Sequence, residues 1–190
     1  KRVTKINQLL KTLRKNKTSY LFKHVQLLTY VSVHLVEKMG IVNKRQNIEK
    51  MAFCSLFHDI ILSKDKYALI STEEELNMED LTRDERVLVK NHANLAADLI
   101  KDIPNLPPDV ETIIRQHHGD LNGTSLPVRA HVNISNLTAL FMISQAYVER
   151  ILEFPDDVKP NQPLIMAGLR KRYKTKKHWK VLDILEDIVL

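Results

Sequence analysis

Six side chains that can bind metal ions recur on the apolar faces of four helices predicted from the spacing of hydrophobic residues. A histidine and an aspartate stand side by side near the end of one of these helices, and further histidines precede and follow them. Imidazole and carboxylate groups are natural ligands of iron, manganese and zinc. The candidate metal ligands are His24, His58, Asp59, His92, His117 and His118.

Taken singly, a histidine on an apolar stripe is best interpreted as a core residue that is hydrogen-bonded to a carbonyl. Five such histidines together favour a metal site, because each buried ring costs free energy unless its polar atoms are satisfied, and a metal would satisfy all five. One carboxylate and five imidazoles exceed the four ligands of a closed structural zinc site. We therefore expect two divalent ions, bridged by Asp59 and a water or hydroxide. Phosphoester hydrolysis is the matching reaction, with Asp59 and His58 as catalytic residues.

Length and composition indicate one soluble, mostly helical domain. The chain has 190 residues, 44% of them hydrophobic, four glycines, and a net charge of +6 that favours anionic partners. No apolar run approaches the ~20 residues of a membrane span, so we expect no membrane association. The single cysteine, Cys54, excludes an internal disulfide and suits a reducing, cytoplasmic location.

The periodicity predicts an all-α fold. We expect an N-terminal helix over residues 3–14 and a second helix from Thr18 or Ser19 to Met39, with Gly40 as its stop. Later helices are expected to start at Asn47 and at Thr82, the latter with Leu95 in its buried register, and an acidic loop at 73–75 separates them. The remaining helices are predicted near residues 113–118, 128–152, 164–169 and 179–189.

The two ends of the chain carry clusters of basic residues. Residues 1–17 are interpreted as a helix or linker to a missing upstream domain, which we expect to be regulatory, and residues 18–190 as the main domain. The run at 170–180 holds Tyr173 and Trp179 among its lysines and arginines, which is compatible with stacking on bases. A solvated face or a partner contact is the better interpretation, so nucleic acid is not an expected partner. The sequence does not give the oligomeric state.

Three motifs resemble those of the HD-GYP branch of the HD-domain metal-dependent phosphohydrolases, which hydrolyse cyclic di-GMP. The first is Phe57-His58-Asp59-Ile60, the second runs from Asp80-Leu81-Thr82 to His92, and the third is the stretch 117–127. The resemblance covers roughly residues 18–150. It implies a single HD-domain helical bundle of seven to eight helices, a cyclic dinucleotide as substrate or ligand, and the six residues above on the metal-ligand positions. The implied cofactor is a pair of ions, iron first, with manganese or zinc as alternatives.

The chain departs from that family at several positions. Leu62 stands where a lysine is usual, and Lys64 or Lys66 is a candidate substitute in phosphate binding. Tyr20 replaces a glutamate that would bind a third ion, which is why two ions are implied. Gly119 replaces a glutamate.

Departures continue in the loop that follows the paired histidines. The Gly-Tyr-Pro motif becomes Ser125-Leu126-Pro127, or else residues 126–130 match a later family segment and most of the loop is deleted. A late aspartate ligand is absent, and Asn136 is the candidate to replace it. Arg115 and Arg129 are candidate phosphate contacts.

Three functions remain open from the sequence. The first is an unconventional cyclic di-GMP phosphodiesterase. The second is a catalytically weak metal-containing module that acts as a cyclic di-GMP sensor or protein-interaction domain, which the missing lysine, tyrosine and aspartate favour. The third is another HD-type hydrolase acting on nucleotides, which the paired histidines oppose.

Overall fold

A computed structural model describes residues 2–120, 126 and 133–188 as an assembly of helices without a strand. The all-α prediction is therefore confirmed, with ten helical segments in the described part of the chain against the seven to eight expected. Three of the ten are only four to six residues long. The helices are α1 (Arg2–Lys15), α2 (Tyr20–Met39), α3 (Lys44–Phe57), α4 (Asp65–Ala68), α5 (Glu73–Met78), α6 (Arg83–Ile100), α7 (Val110–Arg115), α8 (Asn136–Leu152), α9 (Gln162–Arg172) and α10 (Lys176–Glu186).

The start and the end of α2 follow from its flanking residues. The Ser19 hydroxyl accepts a hydrogen bond from the Phe22 N–H and caps the helix, while Gly40 ends it with a φ of 64°. A left-handed backbone of this kind costs an L-residue free energy that glycine avoids. Asp65 adds a long-range cap, because its carboxylate accepts from the Tyr20 and Leu21 N–H groups at 3.0 and 3.3 Å. These contacts fix the helix that carries His24.

Helix α2 is the centre of the fold, since it packs against α1, α3, α4, α8 and α10. The main core contains fully buried residues from several helices, among them Leu28, Leu35, Met51, Ile100 and Tyr147. Burying a side chain of this size contributes about 1.5–3 kcal/mol. A smaller apolar cluster lies beside it and includes Leu21, Leu62, Tyr67, Leu126 and Val89. Leu126 is the only described residue of the 121–132 stretch.

Several predicted boundaries were wrong for local reasons. Residues 73–75 form the first turn of α5, because Thr72 and Glu75 make a reciprocal capping box. The helix expected from 128 begins at Asn136, where the Ser135 hydroxyl accepts from the Thr138 N–H. Helix α3 begins at Lys44, three residues before Asn47.

Smaller differences concern exposure and the last two helices. Leu95 is 40% exposed and does not belong to the buried face of α6. Helices α9 and α10 both start earlier than expected, and they take up most of the basic run. There Arg170 forms ion pairs with Asp183 and Glu186 at 2.8 and 2.9 Å. These contacts support the interpretation of the basic run as a solvated face.

Helix α1 lies on the bundle through its apolar face. Ile6 is buried in the main core, and Leu13 packs against the smaller cluster. The division of the chain at residue 17 stays a prediction. None of the described helices combines the length and hydropathy needed to cross a membrane.

Candidate metal centre

Regular helical spacing places His24 inside the bundle. On α2 the buried positions Leu21, His24, Leu28, Val31 and Leu35 follow each other at intervals of three and four residues and share one face. His24 is 1% exposed. Its ring therefore points from the central helix into the interior.

His58 and Asp59 lie where α3 ends. The His58 N–H still donates to the Cys54 carbonyl at 2.9 Å, and the Leu62 N–H closes a turn onto the Asp59 carbonyl at 2.8 Å. Both side chains are buried. The end of the helix thus sends two neighbouring side chains toward the same interior point.

The other three histidines come from α6 and from the turn after α7. His92 lies on the buried face of α6, and His117 and His118 follow the last turn of α7. Gly119 then has a φ of 89°, and its N–H donates to the Gln116 carbonyl at 2.8 Å. Only glycine adopts this φ without strain, which explains why glycine stands at this position.

The interior side chains form two groups of three. In the first, His24 Nε2 lies 3.2 Å from His58 Nε2, and His58 Nε2 lies 3.2 Å from Asp59 Oδ2. In the second, His92 Nε2 lies 3.3 Å from His117 Nε2 and 2.8 Å from His118 Nε2. Within each group the ligand atoms all lie within 4.8 Å of one another.

Asp59 joins the two groups. Its Oδ2 faces His58, while its Oδ1 lies 3.2 Å from His92 Nε2 and 3.8 Å from His117 Nε2. Among the described residues Oδ1 has no hydrogen-bond partner, although it is buried. The structure therefore brings all six sequence-predicted side chains together, with the carboxylate between two sets of imidazoles.

Main-chain acceptors set the tautomer of three rings. In each case Nδ1 donates to the carbonyl three residues earlier, so Nε2 keeps its lone pair for the interior. The pairs are His58 to Ser55 at 3.1 Å, His92 to Val89 at 2.6 Å, and His117 to Ile114 at 2.6 Å. When these rings are neutral, each Nε2 turns its lone pair toward the cluster, which is the form that binds a metal ion.

Burial favours the neutral form that a metal ligand needs in three of the five imidazoles. It lowers the pKa of His24 to about 3, with the neighbouring His58 as a second cause. It also holds the pKa of His117 and of His118 well below the ordinary value for histidine. Burial alone would raise the pKa of Asp59, but pairing with His58 and His92 outweighs it and holds that pKa well below its ordinary value. Burial lowers the pKa of His58, but the same pairing with Asp59 outweighs burial and raises it, so an ion at this ring takes the place of a proton. Neutral imidazoles and an ionised carboxylate are the ligand forms.

The donor set fits divalent ions. Two nitrogens at about 2.0–2.1 Å from one tetrahedral ion are about 3.3 Å apart, and a more crowded ion brings them closer. The Nε2 atoms of this cluster are separated by 2.8–3.3 Å in the pairs His24–His58, His92–His117 and His92–His118. His92 and His117 both donate through Nδ1, so their Nε2 lone pairs face each other and repel unless a cation lies between them. The buried, unpartnered Asp59 Oδ1 is also stabilised by a nearby cation.

Lys64 and Lys66 share their contacts with Glu85 and with the Tyr67 ring, but Lys64 also donates to the Tyr67 hydroxyl at 2.9 Å. Their ammonium groups lie 3.6 and 3.5 Å from Glu85 Oε1, and each stands 5.1 Å from the centre of the Tyr67 ring. The Tyr67 hydroxyl in turn donates to Glu85. Of the two lysines, Lys64 lines a pocket of about 260 Å³ that Asp59 also lines.

Arg115 and Asn136 lie apart from the cluster. The Arg115 guanidinium donates to Glu111 at 2.9 Å and to Asp98 at 3.0 Å, so two carboxylates hold it. Asn136 is exposed in the first turn of α8. Their roles as a phosphate contact and a late ligand stay predictions, because the sequence does not show which face of a helix end turns inward. Arg129 lies outside the described residues, as does most of the Gly-Tyr-Pro region.

Sequence reasoning missed two polar residues of α8. Gln145 and Glu149 line a small pocket together with His117 and His118, and Gln145 Nε2 donates to Glu149 Oε1 at 3.0 Å. Burial raises the pKa of Glu149 above its ordinary value. Their spacing of four residues on an otherwise apolar helix face was the available signal.

Tyr20 stands at the edge of the site. Its ring stacks on that of His24, with 5.6 Å between the ring centres, and burial raises the pKa of its hydroxyl. Tyr20, Glu149 and Arg172 also line a cleft of about 840 Å³. This cleft lies next to the cluster and is large enough for an organic ligand.

Comparison with known proteins agrees with this fold. The HD domain family matches residues 21–159 of the chain. A solved structure, the HD domain of the L. monocytogenes phosphodiesterase PgpH, has a similar fold with a TM-score of 0.57 at 13% identity, covering 92% of this chain and 95% of that one. Among curated proteins no match was found. Because the match runs from the second residue of α2 through α8 and includes all six clustered side chains, the chain belongs to the HD domain family.

Proposed function

We propose that this chain is a binuclear-metal phosphodiesterase of the cyclic di-GMP type. The observation that carries the proposal is the arrangement of two three-residue ligand groups joined by Asp59. Membership in the HD domain family supports a metal-dependent phosphohydrolase. The HD-GYP subtype and the cyclic di-GMP specificity rest on the motif resemblance.

Each residue of the cluster has a defined part in this proposal. His24 and His58 would hold one ion, and His92, His117 and His118 would hold the other, with Asp59 between them. When bound, such a pair supplies an acidified water and neutralises charge on a phosphoryl group. Iron is the first choice of metal, and manganese or zinc are alternatives that the same ligand types accept.

The surroundings of the cluster support an organic phosphodiester as substrate. In the pocket beside Asp59, the Lys64 ammonium is the group that can pair with a phosphate oxygen, in place of the family lysine that Leu62 replaces. The cleft beside Tyr20 offers apolar walls and the Arg172 guanidinium for the rest of the ligand. We assign Lys64 to phosphate binding and leave Lys66 to its contact with Glu85.

The two lysines provide the experiment. Hydrolysis of cyclic di-GMP is measured with manganese- or iron-loaded wild type, Lys64→Gln, Lys66→Gln and Tyr67→Phe. Because a charge-assisted hydrogen bond to the phosphate is lost, Lys64→Gln is expected to lower kcat/KM by roughly tenfold to 100-fold. Lys66→Gln is the control for the contacts with Glu85 and the Tyr67 ring, and Tyr67→Phe is the control for the hydrogen bond that Lys64 donates to the Tyr67 hydroxyl. In both controls kcat/KM should change by less than about twofold.

Two outcomes would contradict parts of this proposal. Equal losses in Lys64→Gln and in either control would show that Lys64 acts through Glu85 and Tyr67 rather than on the substrate. Metal-loaded wild type without turnover of cyclic di-GMP would contradict the phosphodiesterase.

A second function is favoured by two specific observations. Leu62 is 3% exposed within the smaller apolar cluster, so the family lysine is replaced by a buried aliphatic group. Asn136 is exposed, so it adds no ligand from the start of α8. Both support a catalytically weak module that binds metal and senses cyclic di-GMP or a protein partner. Binding of cyclic di-GMP without hydrolysis by the metal-loaded protein would identify this function.

A further inference from the structure

His118 differs from three of the other histidines in how its outer nitrogen is satisfied. Its ring is 5% exposed, and its Nδ1 has no hydrogen-bond partner among the described residues. If Nε2 binds an ion, Nδ1 carries the proton and becomes a buried donor. A buried donor without an acceptor costs about 1–3 kcal/mol. Something other than the main chain must therefore accept from His118.

A matching acceptor lies in the same place. Gln145 is also 5% exposed, and its Oε1 has no hydrogen-bond partner in the described part of the chain. Gln145 Nε2 donates to Glu149 Oε1 at 3.0 Å, which orients the amide and leaves Oε1 as the free acceptor. His118, Gln145 and Glu149 all line one small pocket. An unpartnered donor and an unpartnered acceptor thus share a single space.

The size and chemistry of this pocket suit one water molecule. Its volume is about 10 Å³, which is close to the minimum that one water needs. Water in this place can accept from the His118 Nδ1–H and donate to Gln145 Oε1 and to the Glu149 carboxylate. Three hydrogen bonds are typical of buried water. Arg172 lines the same pocket and offers a positive charge that balances Glu149.

We propose that Gln145 and Glu149 position His118 for metal binding through one buried water that accepts from the His118 Nδ1–H. Carboxylates in this outer position orient a ligand ring and increase its basicity, and their loss typically costs 10–100-fold in metal affinity. Glu149 also brings a second negative charge near the two metal ions, which have Asp59 as their carboxylate ligand. The inference rests on the proposed metal centre and adds two residues to it.

The test measures zinc affinity by competition with a chelator in Gln145→Leu and Glu149→Gln. Each variant is expected to bind one ion with about 10–100-fold lower affinity, while the other ion is unaffected. Gln162→Leu is the matched control, because Gln162 accepts from the Tyr147 hydroxyl and donates to the Leu185 carbonyl, both at 2.7 Å. It removes a partly buried amide that makes two hydrogen bonds away from the histidines, so zinc affinity should stay at the wild-type value while thermal stability falls.

A second measurement reports on the hydrogen bond itself. In zinc-loaded wild type the His118 Nδ1–H should give a slowly exchanging proton resonance, and Gln145→Leu should abolish it. Wild-type affinity for both ions in both α8 variants would overturn this inference and leave the metal centre intact. Wild type that binds fewer than two zinc ions would overturn the proposed metal centre as well.

Discussion

Replacement of Asp59 by alanine should abolish binding of at least one of the two ions and, with it, phosphodiester hydrolysis. Asp59 is the one carboxylate in the cluster, and its two oxygens face different groups of imidazoles. The loss of metal affinity should exceed the 10–100-fold that follows loss of an outer-shell partner, since a charged ligand itself is removed. Metal content and hydrolysis are measured on the same preparation.

Asp98→Ala is the matched control for that experiment. Asp98 is also a carboxylate in an ion pair, with Arg115 at 3.0 Å, but it stands on the outer side of α6 and is about half exposed. It should keep two ions and full turnover. Two ions per chain in Asp59→Ala would contradict the bridging role of Asp59.

Removal of the ions from wild type should lower thermal stability markedly. An ion present at 100 times its Kd stabilises the folded state by about 2.7 kcal/mol. In a chain of this length, 1 kcal/mol corresponds to about 2–4 °C in Tm, so each ion should contribute roughly 5–10 °C. The structural reason is the close approach of the Nε2 lone pairs of His92 and His117, which lie 3.3 Å apart.

Thermal melts with and without a chelator provide the measurement. Added manganese or zinc should restore the lost stability. Asp59→Ala should respond much less to the chelator than wild type, because it has fewer ions to lose. An unchanged Tm for wild type would mean that the imidazoles are stable as they stand, and the metal centre would be excluded.

The inward direction of the histidines could be predicted from the sequence because helical spacing is regular. His24 and His92 share a face with aliphatic residues on α2 and α6, and both are buried. The His58–Asp59 pair needed a further fact, that α3 ends at Phe57 and redirects the chain there. The spacing of apolar residues predicted roughly where that helix ends, but not the direction that the chain takes after it.

The outer residues of the site could not be predicted in the same way. Arg115 stands two residues before the paired histidines in the sequence and Gln145 is distant from them, but the tertiary packing turns Arg115 to Asp98 and Gln145 to the histidines. Likewise, the exposure of Asn136 depends on where α8 begins. With Ser135 as the N-cap, Asn136 is the first residue of the helix and is exposed to solvent. Local sequence patterns fix helix faces, whereas contacts between distant helices depend on the whole assembly.

The central claim is that the five histidines and Asp59 hold two ions between them. Elemental analysis of protein purified without added metal tests it most directly, with the metal content expressed per chain. We expect two ions of iron, manganese or zinc per chain in wild type. A chain that carries none, and that takes up none when these metals are supplied, would contradict the account.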